Sequence, residues 1–355
     1  MNRISKWTAA VIAGGLMIST AGLAQDATKK MTEPEVVAAL KKELAAQAAA
    51  DELSGVVLLA KDGKPIFRQA YGMADRGLKV PNNPETKLNL GSINKMFTRL
   101  SIEQLAENGK LSLDDTVAKW IPDYPDPDVA AKVTIRQLID MRSGLGDIFT
   151  SEFAAAAKDR FLKPRDLFPL FAGKPLQFET GKGQRYSNAG YVVLGAIVES
   201  ASKQDYYDYV REHIYKPAGM ASTDSWRLDE PVPNRAVGYT KRGGDGLRNN
   251  LFQTAFKGSP AGGGYSTVDD LLRFDAALRS GVLFKDGRKI VGVGAAGGAP
   301  GCNALLEQMD GGYTLIVLAN YDPPVAEKLG EKVRGWFGFV DEDGPVKVKA
   351  GGPHP

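Results

Sequence analysis

The chain has 355 residues, 43% of them hydrophobic and 25% charged, which excludes a disordered, collagenous or coiled-coil protein and leaves ordinary globular material. The formal charge of +3 falls to about +1 without Arg3 and Lys6, so neither nucleic acid nor an anionic membrane is implied as a partner. One cysteine, Cys302, excludes an intrachain disulfide, and two histidines, His213 and His354, exclude a histidine-rich metal site.

Residues 1–24 read as a secretory signal peptide. Arg3 and Lys6 form a basic start, an apolar stretch runs from Thr8 to about Met17, and Gly22 and Ala24 supply small residues for cleavage. An uncleaved amino-terminal anchor is the alternative. No later segment approaches the roughly 18 consecutive apolar residues of a membrane helix, so a soluble, exported (periplasmic or secreted) protein is expected. The expected organisation is one domain over residues 25–345 and a flexible Gly/Pro-rich tail at 346–355.

Thr32–Ala50 follows as a helix, with Thr32 as cap, Pro34 in the first turn and Val36, Val37, Leu40 and Leu44 at helical spacing. Gly55–Ala60 and Pro65–Tyr71 read as a hairpin around Asp62-Gly63. From Ser92 to about Asn108 the pattern is helical and closes at Gly109. The long middle alternates short helices with Pro/Gly loops, and Val133–Met141, Asn188–Ser202 and Thr267–Ser280 are its clearest helices. Strand character returns at Lys289–Val293, Ala304–Gln308 and Tyr313–Ala319, the last two joined by Asp310-Gly311-Gly312. A helix at about Val325–Phe337 ends the folded part. The fold class is therefore α+β: first and last strands share one antiparallel sheet, helices cover both faces, and a mainly helical region of about 100–280 is inserted between the strands.

Scarce histidine limits the chemistry. A Ser-His-Asp triad would need His213, which lies in the helical stretch Tyr206–Tyr215 and reads as a helix residue. Proton transfer then falls to Lys, Tyr, Asp or Glu. Ser92-Ile93-Asn94-Lys95 fits such chemistry, because a serine at a helix start and a lysine three residues on share a face. A lysine held close and partly desolvated can lose its proton near neutral pH and activate the serine. Ser-x-x-Lys is expected about once in a chain this long, and a second copy stands at Ser200–Lys203. That copy lies at the polar end of a helix, whereas Leu88, Leu90, Met96, Phe97 and Leu100 surround the first. Tyr186-Ser187-Asn188, at a loop-to-helix junction, is the chain's one Tyr-x-Asn. A tyrosine beside a cationic lysine can hold a depressed pKa and act as base, and the asparagine can donate to a substrate carbonyl. A plain helix cap with Tyr186 in the core is the alternative.

Ser92-x-x-Lys95 followed by Tyr186-x-Asn188 resembles class C β-lactamases, D-alanyl-D-alanine carboxypeptidases and the related esterases, the serine β-lactamase and penicillin-binding-protein-like family. Gly109–Asp115, Ser143-Gly144-Leu145, Pro217-Ala218-Gly219-Met220 and Pro260–Thr267 extend the resemblance over nearly the whole processed chain. It implies an acyl-enzyme cycle on an ester, amide or peptide, with Ser92 as nucleophile, Lys95 and Tyr186 shuttling the proton and Asn188 orienting the acyl group. The oxyanion would lie between the N–H of Ser92 and one from the glycines Gly297 and Gly298. No cofactor or metal is implied.

The third family motif departs from the pattern. It places Lys or His at the start of a strand, where Gly294–Gly301 here has Ala295. The 282–290 segment is also shorter than usual, and Met141 replaces a common histidine. Losing the cation should weaken substrates that carry a carboxylate, so esterase-like activity is expected above β-lactamase or DD-peptidase activity. A catalytically impaired binder or sensor of cell-wall fragments, or a poorly folding chain, are the alternatives.

Overall fold

The computed structural model describes residues 5–6, 30–244 and 246–339. Apart from the backbone of Ser5–Lys6, the leader read at 1–24 lies outside the described residues, as does the tail at 346–355.

A five-stranded antiparallel sheet carries the molecule. Strands β1 (Gly55–Lys61), β2 (Lys64–Tyr71), β3 (Gly294–Ala299), β4 (Cys302–Met309) and β5 (Tyr313–Ala319) are ordered β3-β4-β5-β1-β2. Amino- and carboxy-terminal halves meet where β5 pairs with β1, in a register from Ala319↔Gly55 to Tyr313↔Lys61. The β1–β2 turn has Asp62 and Gly63 at φ 49° and 74°, the left-handed geometry that an Asp-Gly hairpin turn supplies.

The apolar run of β1 does not alternate in sequence because both of its faces are buried. Val56, Leu58 and Ala60 enter one core, while Val57 and Leu59 enter the other. Helices α1 (Glu33–Ala49) and α5 (Val325–Phe337) cover the second face through Val36, Leu40, Leu44, Leu329 and Val333. Across the sheet, α2 (Asn94–Glu107), α3 (Asn188–Ser202) and α4 (Val268–Ser280) belong to the larger core. The α+β class with the inserted helical region is thus observed.

Two local expectations change. The helix read at Val133–Met141 is only Ile135–Ile139. Thr134 caps it, accepting from the Gln137 N–H at 3.3 Å while Gln137 Oε1 accepts from the Thr134 N–H at 2.9 Å. That capping box fixes the start, and Met141, at φ 58°, has already left the helix. The strand read at Lys289–Val293 shrinks to Ile290–Val291, which pairs in parallel with Ser5–Lys6 outside the main sheet. The sheet's edge is instead β3, whose sequence Gly-Ala-Ala-Gly-Gly-Ala carries no strand propensity of its own.

Candidate active site

Ser92 lies in a 3-10 turn, Gly91–Ile93, that leads directly into α2. The turn is held from both sides. Asn89 Oδ1 accepts from the Gly91 N–H at 2.8 Å, and the Gly91 carbonyl accepts from the Gly263 N–H at 3.2 Å. Beyond it, Ile93, Phe97 and Leu100 anchor α2 in the larger core, where Phe97 meets Tyr215 and Phe274 edge to face, each with ring centroids 5.0 Å apart. A side chain on such a rigid element keeps its aim.

Lys95 is buried in the first turn of α2, and all three hydrogens of its ammonium form have an acceptor. Nζ donates to Ser92 Oγ at 3.0 Å, to Asn188 Oδ1 at 2.7 Å and to the carbonyl of Ala261. Burial pushes its pKa down to about 7, against the opposing pull of the Asp147 carboxylate. Near neutral pH a substantial fraction is therefore free amine, the form a general base needs.

The loop 259–262 delivers that third acceptor. Thr98 Oγ1 donates to the Pro260 carbonyl at 2.7 Å. Gly195 of α3 lets the loop in, since a Cβ there would lie 2.2 Å from Pro260 Cγ.

Tyr186 Oη lies 2.5 Å from Ser92 Oγ, and the Lys95 Nζ is 4.7 Å from the centre of its ring. The depressed tyrosine pKa expected from the sequence is not what this setting produces. Burial pushes the phenol well up, the hydrogen bond with Ser92 opposes that only in part, and Asp147 and Tyr191 reinforce it. Tyr186 therefore stays protonated, and its hydroxyl is available as a donor to Ser92.

The Tyr186–Asn188 junction is clamped by the segment that follows the short helix. Ser187 caps α3 by accepting from the Gly190 N–H at 3.0 Å, and its hydroxyl donates to the Gly146 carbonyl at 2.8 Å. The Ser187 N–H points at Met141 Sδ, 3.4 Å away, so the residue that replaces a histidine supports the junction with its sulfur.

Asn188 joins Lys95 to an acidic side chain. Its Nδ2 donates to both carboxylate oxygens of Asp147, at 3.1 and 2.9 Å, and its Oδ1 receives Lys95. The two carboxylate oxygens lie on one side of Nδ2 and engage one of its two hydrogens, so the carboxamide bridges Lys95 and Asp147 and keeps a second N–H donor beyond these contacts. Asp147 was not singled out by sequence. It sits just beyond Ser143-Gly144-Leu145, and an acid at the end of that segment was the available signal.

Opposite these side chains stands the exposed edge of the sheet. A Cβ on Gly297 would lie 2.2 Å from the Leu90 carbonyl oxygen and 2.7 Å from Ser92 N, and one on Gly91 would lie 2.9 Å from Gly298 N. Only glycine on both sides permits this approach. It brings the backbone of Gly297–Gly298 against that of Ser92, where two N–H groups can face one oxyanion. Ala295, in β3, is buried with its methyl in the larger core, so it offers no cation to the cleft.

The other candidates fall elsewhere. Ser200 and Lys203 mark the end of α3, where Lys203 is exposed at φ 63°. His213 lies tilted against the Tyr209 ring with centroids 4.3 Å apart and meets Gln204 Oε1 at 3.3 Å. No group of three or more His, Cys, Asp or Glu suited to a metal ion occurs among the described residues. Among them, too, no helix is long and apolar enough to cross a membrane.

The chain is similar to several known proteins. The model of one protein family, described as Beta-lactamase, matches residues 39–327. Penicillin-binding protein 4* of Bacillus subtilis is 33% identical over 240 residues, covering 64% of this chain and 52% of that relative. The chain spans about half the length, or less, of the curated relatives it matches. Among solved structures, a penicillin binding protein from Bacillus halodurans superposes with a TM-score of 0.73 at 27% identity, covering 83% of this chain and 99% of that one. A D-stereospecific amidohydrolase from Streptomyces sp. gives a TM-score of 0.64 at 25% identity, covering 81% and 94%.

Proposed function

Since the chain belongs to the beta-lactamase family of serine hydrolases, we propose that Ser92 forms a covalent acyl-enzyme with an uncharged ester or amide. The observation that carries this reading is the buried Lys95 amine beside the Ser92 hydroxyl, surrounded by acceptors.

In the free amine, Asn188 Oδ1 and the Ala261 carbonyl take the two hydrogens, and the lone pair of the tetrahedral nitrogen is left for Ser92. As Ser92 Oγ bonds to the substrate carbonyl carbon, its proton passes to Lys95 Nζ. Charge develops on the carbonyl oxygen, which the N–H groups of Ser92 and Gly298 receive. Collapse breaks the bond to the alkoxide or amine, which leaves with the phenolic proton of Tyr186, and Lys95 restores that proton. Water then adds to the acyl-enzyme, giving its proton to Lys95, and Ser92 departs reprotonated.

The substrate class follows from Ala295. A β-lactam or a D-Ala-D-Ala peptide carries a carboxylate that needs a cation, and a methyl group supplies none. Neutral esters and amides lose less by its absence, and the Streptomyces relative's description as a D-stereospecific amidohydrolase brings amides of D-configured acyl groups into the same class. Export is part of the proposal, on the strength of the basic, apolar and small-residue order of residues 1–24.

The test compares p-nitrophenyl acetate with a chromogenic cephalosporin on the processed chain. A higher kcat/KM on the ester is expected, and faster cephalosporin hydrolysis would overturn the ranking. Intact-mass labelling by a fluorophosphonate should add one adduct to wild type and none to Ser92→Ala. An adduct that persists in Ser92→Ala would sink the nucleophile. No adduct at all, with a cell-wall fragment still raising the melting temperature, would mark a non-hydrolytic binder instead.

A further inference from the structure

Asn188 can present either end of its carboxamide to Lys95, and only one end is useful. With Oδ1 toward Nζ it accepts a hydrogen, while with Nδ2 toward Nζ two donors would meet. Asn188 has no means of its own to choose. The choice is made one step further out, where Asp147 offers two acceptor oxygens and no hydrogen.

We propose that Asp147 is a positioning residue that locks the Asn188 carboxamide with its oxygen toward Lys95 and thereby aims the Lys95 lone pair at the Ser92 hydroxyl. This rests on the acyl-hydrolase reading above and extends it to a residue that touches neither substrate nor nucleophile.

The geometry of Asp147 supports the role. Its Oδ1 accepts from the Phe149 N–H at 3.0 Å, in a local turn that fixes the carboxylate against its own loop. Both oxygens then face Asn188 Nδ2, at 3.1 and 2.9 Å. The carboxylate is half-buried and the Asn188 side chain buried, so water is a poor substitute for either partner. The remaining groups around Nζ are the rings of Tyr186 and Tyr191, at 4.7 and 5.7 Å. Both phenols are held protonated by burial, which leaves Asp147 as the carboxylate acting on Lys95.

Asp147→Asn removes the charge and keeps the shape. Its Oδ1 still accepts from Phe149 and from Asn188 Nδ2, but a hydrogen-bearing nitrogen replaces the second acceptor, and the lock on orientation is weakened. The exchanged pair Asp147→Asn with Asn188→Asp restores one donor and one acceptor between the two positions and puts the carboxylate directly on Lys95.

The experiment follows the second-order labelling of Ser92 by an uncharged fluorophosphonate from pH 5 to 10, read by intact mass, alongside melting temperatures. Wild type should lose reactivity on the acid side with a limb at about 7. Asp147→Asn should lower the plateau by roughly 10- to 100-fold and move the limb down by about one pH unit, because a neighbouring anion that favours the ammonium has been removed. The exchanged pair should regain most of the plateau with its limb above that of wild type. A purely structural residue would lower the plateau and the melting temperature without moving the limb. An unmoved limb in Asp147→Asn, or an exchanged pair that recovers nothing, would overturn the proposal.

NMR titration of Lys95 in protein with 13Cε-labelled lysine reads the same displacement without turnover. If wild type fails to label at all, the hydrolase reading falls. The Lys95 titration then still decides whether Asp147 governs the amine, through the same downward and upward shifts.

Discussion

The two walls of the cleft are built on opposite principles. The helical wall presents side chains: Ser92 from the Gly91–Ile93 turn, Lys95 from α2, Tyr186 from the junction before α3 and Asn188 from the first position of α3, joined by hydrogen bonds of 2.5–3.0 Å. The strand wall presents its backbone, which comes close to the Ser92 turn because Gly297 lacks a Cβ. A side-chain wall can lose its chemistry and keep its fold. A backbone wall cannot be altered without moving the polypeptide, so rate and stability should fall together there.

The largest effects lie on the helical wall. Ser92→Ala should abolish labelling, and Lys95→Met should cost about 10³-fold or more in kcat/KM with a neutral ester. Lys95→Met should also be no less stable than wild type at neutral pH, which a pH series of melting curves checks. The sign follows from the depressed pKa. The folded protein begins to release the Lys95 proton near pH 7, the unfolded chain only near 10.5, so below about 7 folding carries the full cost of burying the ammonium. That cost shrinks as pH rises from 7 toward 10.5. Any stability advantage of Lys95→Met should therefore be greatest at or below pH 7 and diminish above it. An advantage that grows with pH would mean that folding raises the Lys95 pKa, the reverse of the shift its burial implies.

Gly297→Ala tests the strand wall. Its Cβ would meet the Leu90 carbonyl at 2.2 Å, backbone against backbone, so the sheet edge must retreat from the turn that holds Ser92. A loss of about 10²–10³ in kcat is expected as the oxyanion site opens, with a lower melting temperature. A variant that loses activity at an unchanged melting temperature would erase the distinction between the walls. On the helical side, Tyr186→Phe removes a hydroxyl 2.5 Å from Ser92 Oγ and leaves the ring over Lys95. It should lower the rate by about 10²-fold at near-constant stability, and more for an amide than for an activated ester, whose leaving group needs no proton.

The walls were also unequally legible in the sequence. Ser92, Lys95 and Tyr186 could be read because side-chain chemistry is carried by residue type. The decoy at Ser200–Lys203 could be set aside because its surroundings are polar, and the structure puts Lys203 exposed at a helix end. Strands β1 and β5 were visible as apolar runs for a related reason. Asp147 was not visible, since its role depends on a loop folding back onto α3, some forty residues away in sequence. The sense of the Tyr186 pKa was missed because burial of the hydroxyl, not the nearby cation, dominates it. Strand β3 had no periodicity to read, because its glycines answer to close approach and not to strand propensity. At Val133–Met141 a helical pattern was present, but the Thr134 capping box and the turn at Met141 cut it at both ends.

Gly298→Ala should have the smallest effect and sets the resolution of the comparison. Gly298 neighbours Gly297, shares β3 and is exposed, yet its missing Cβ faces a different neighbour. A methyl there would lie 2.6 Å from Pro323 Cγ, a ring atom that can shift by less than the carbonyl of Leu90 would have to. The N–H of residue 298 is kept in alanine, and so is its place beside Gly91. A loss of only a few-fold in kcat is therefore expected, against the 10²–10³ at Gly297, with a change in melting temperature of a few degrees at most. Equal losses at both positions would mean that the strand tolerates no substitution anywhere along this edge, and that the contact between Gly297 and the Leu90–Ser92 turn has no special place in it. A ratio of tenfold or more between the two variants ties the strand wall to that one contact.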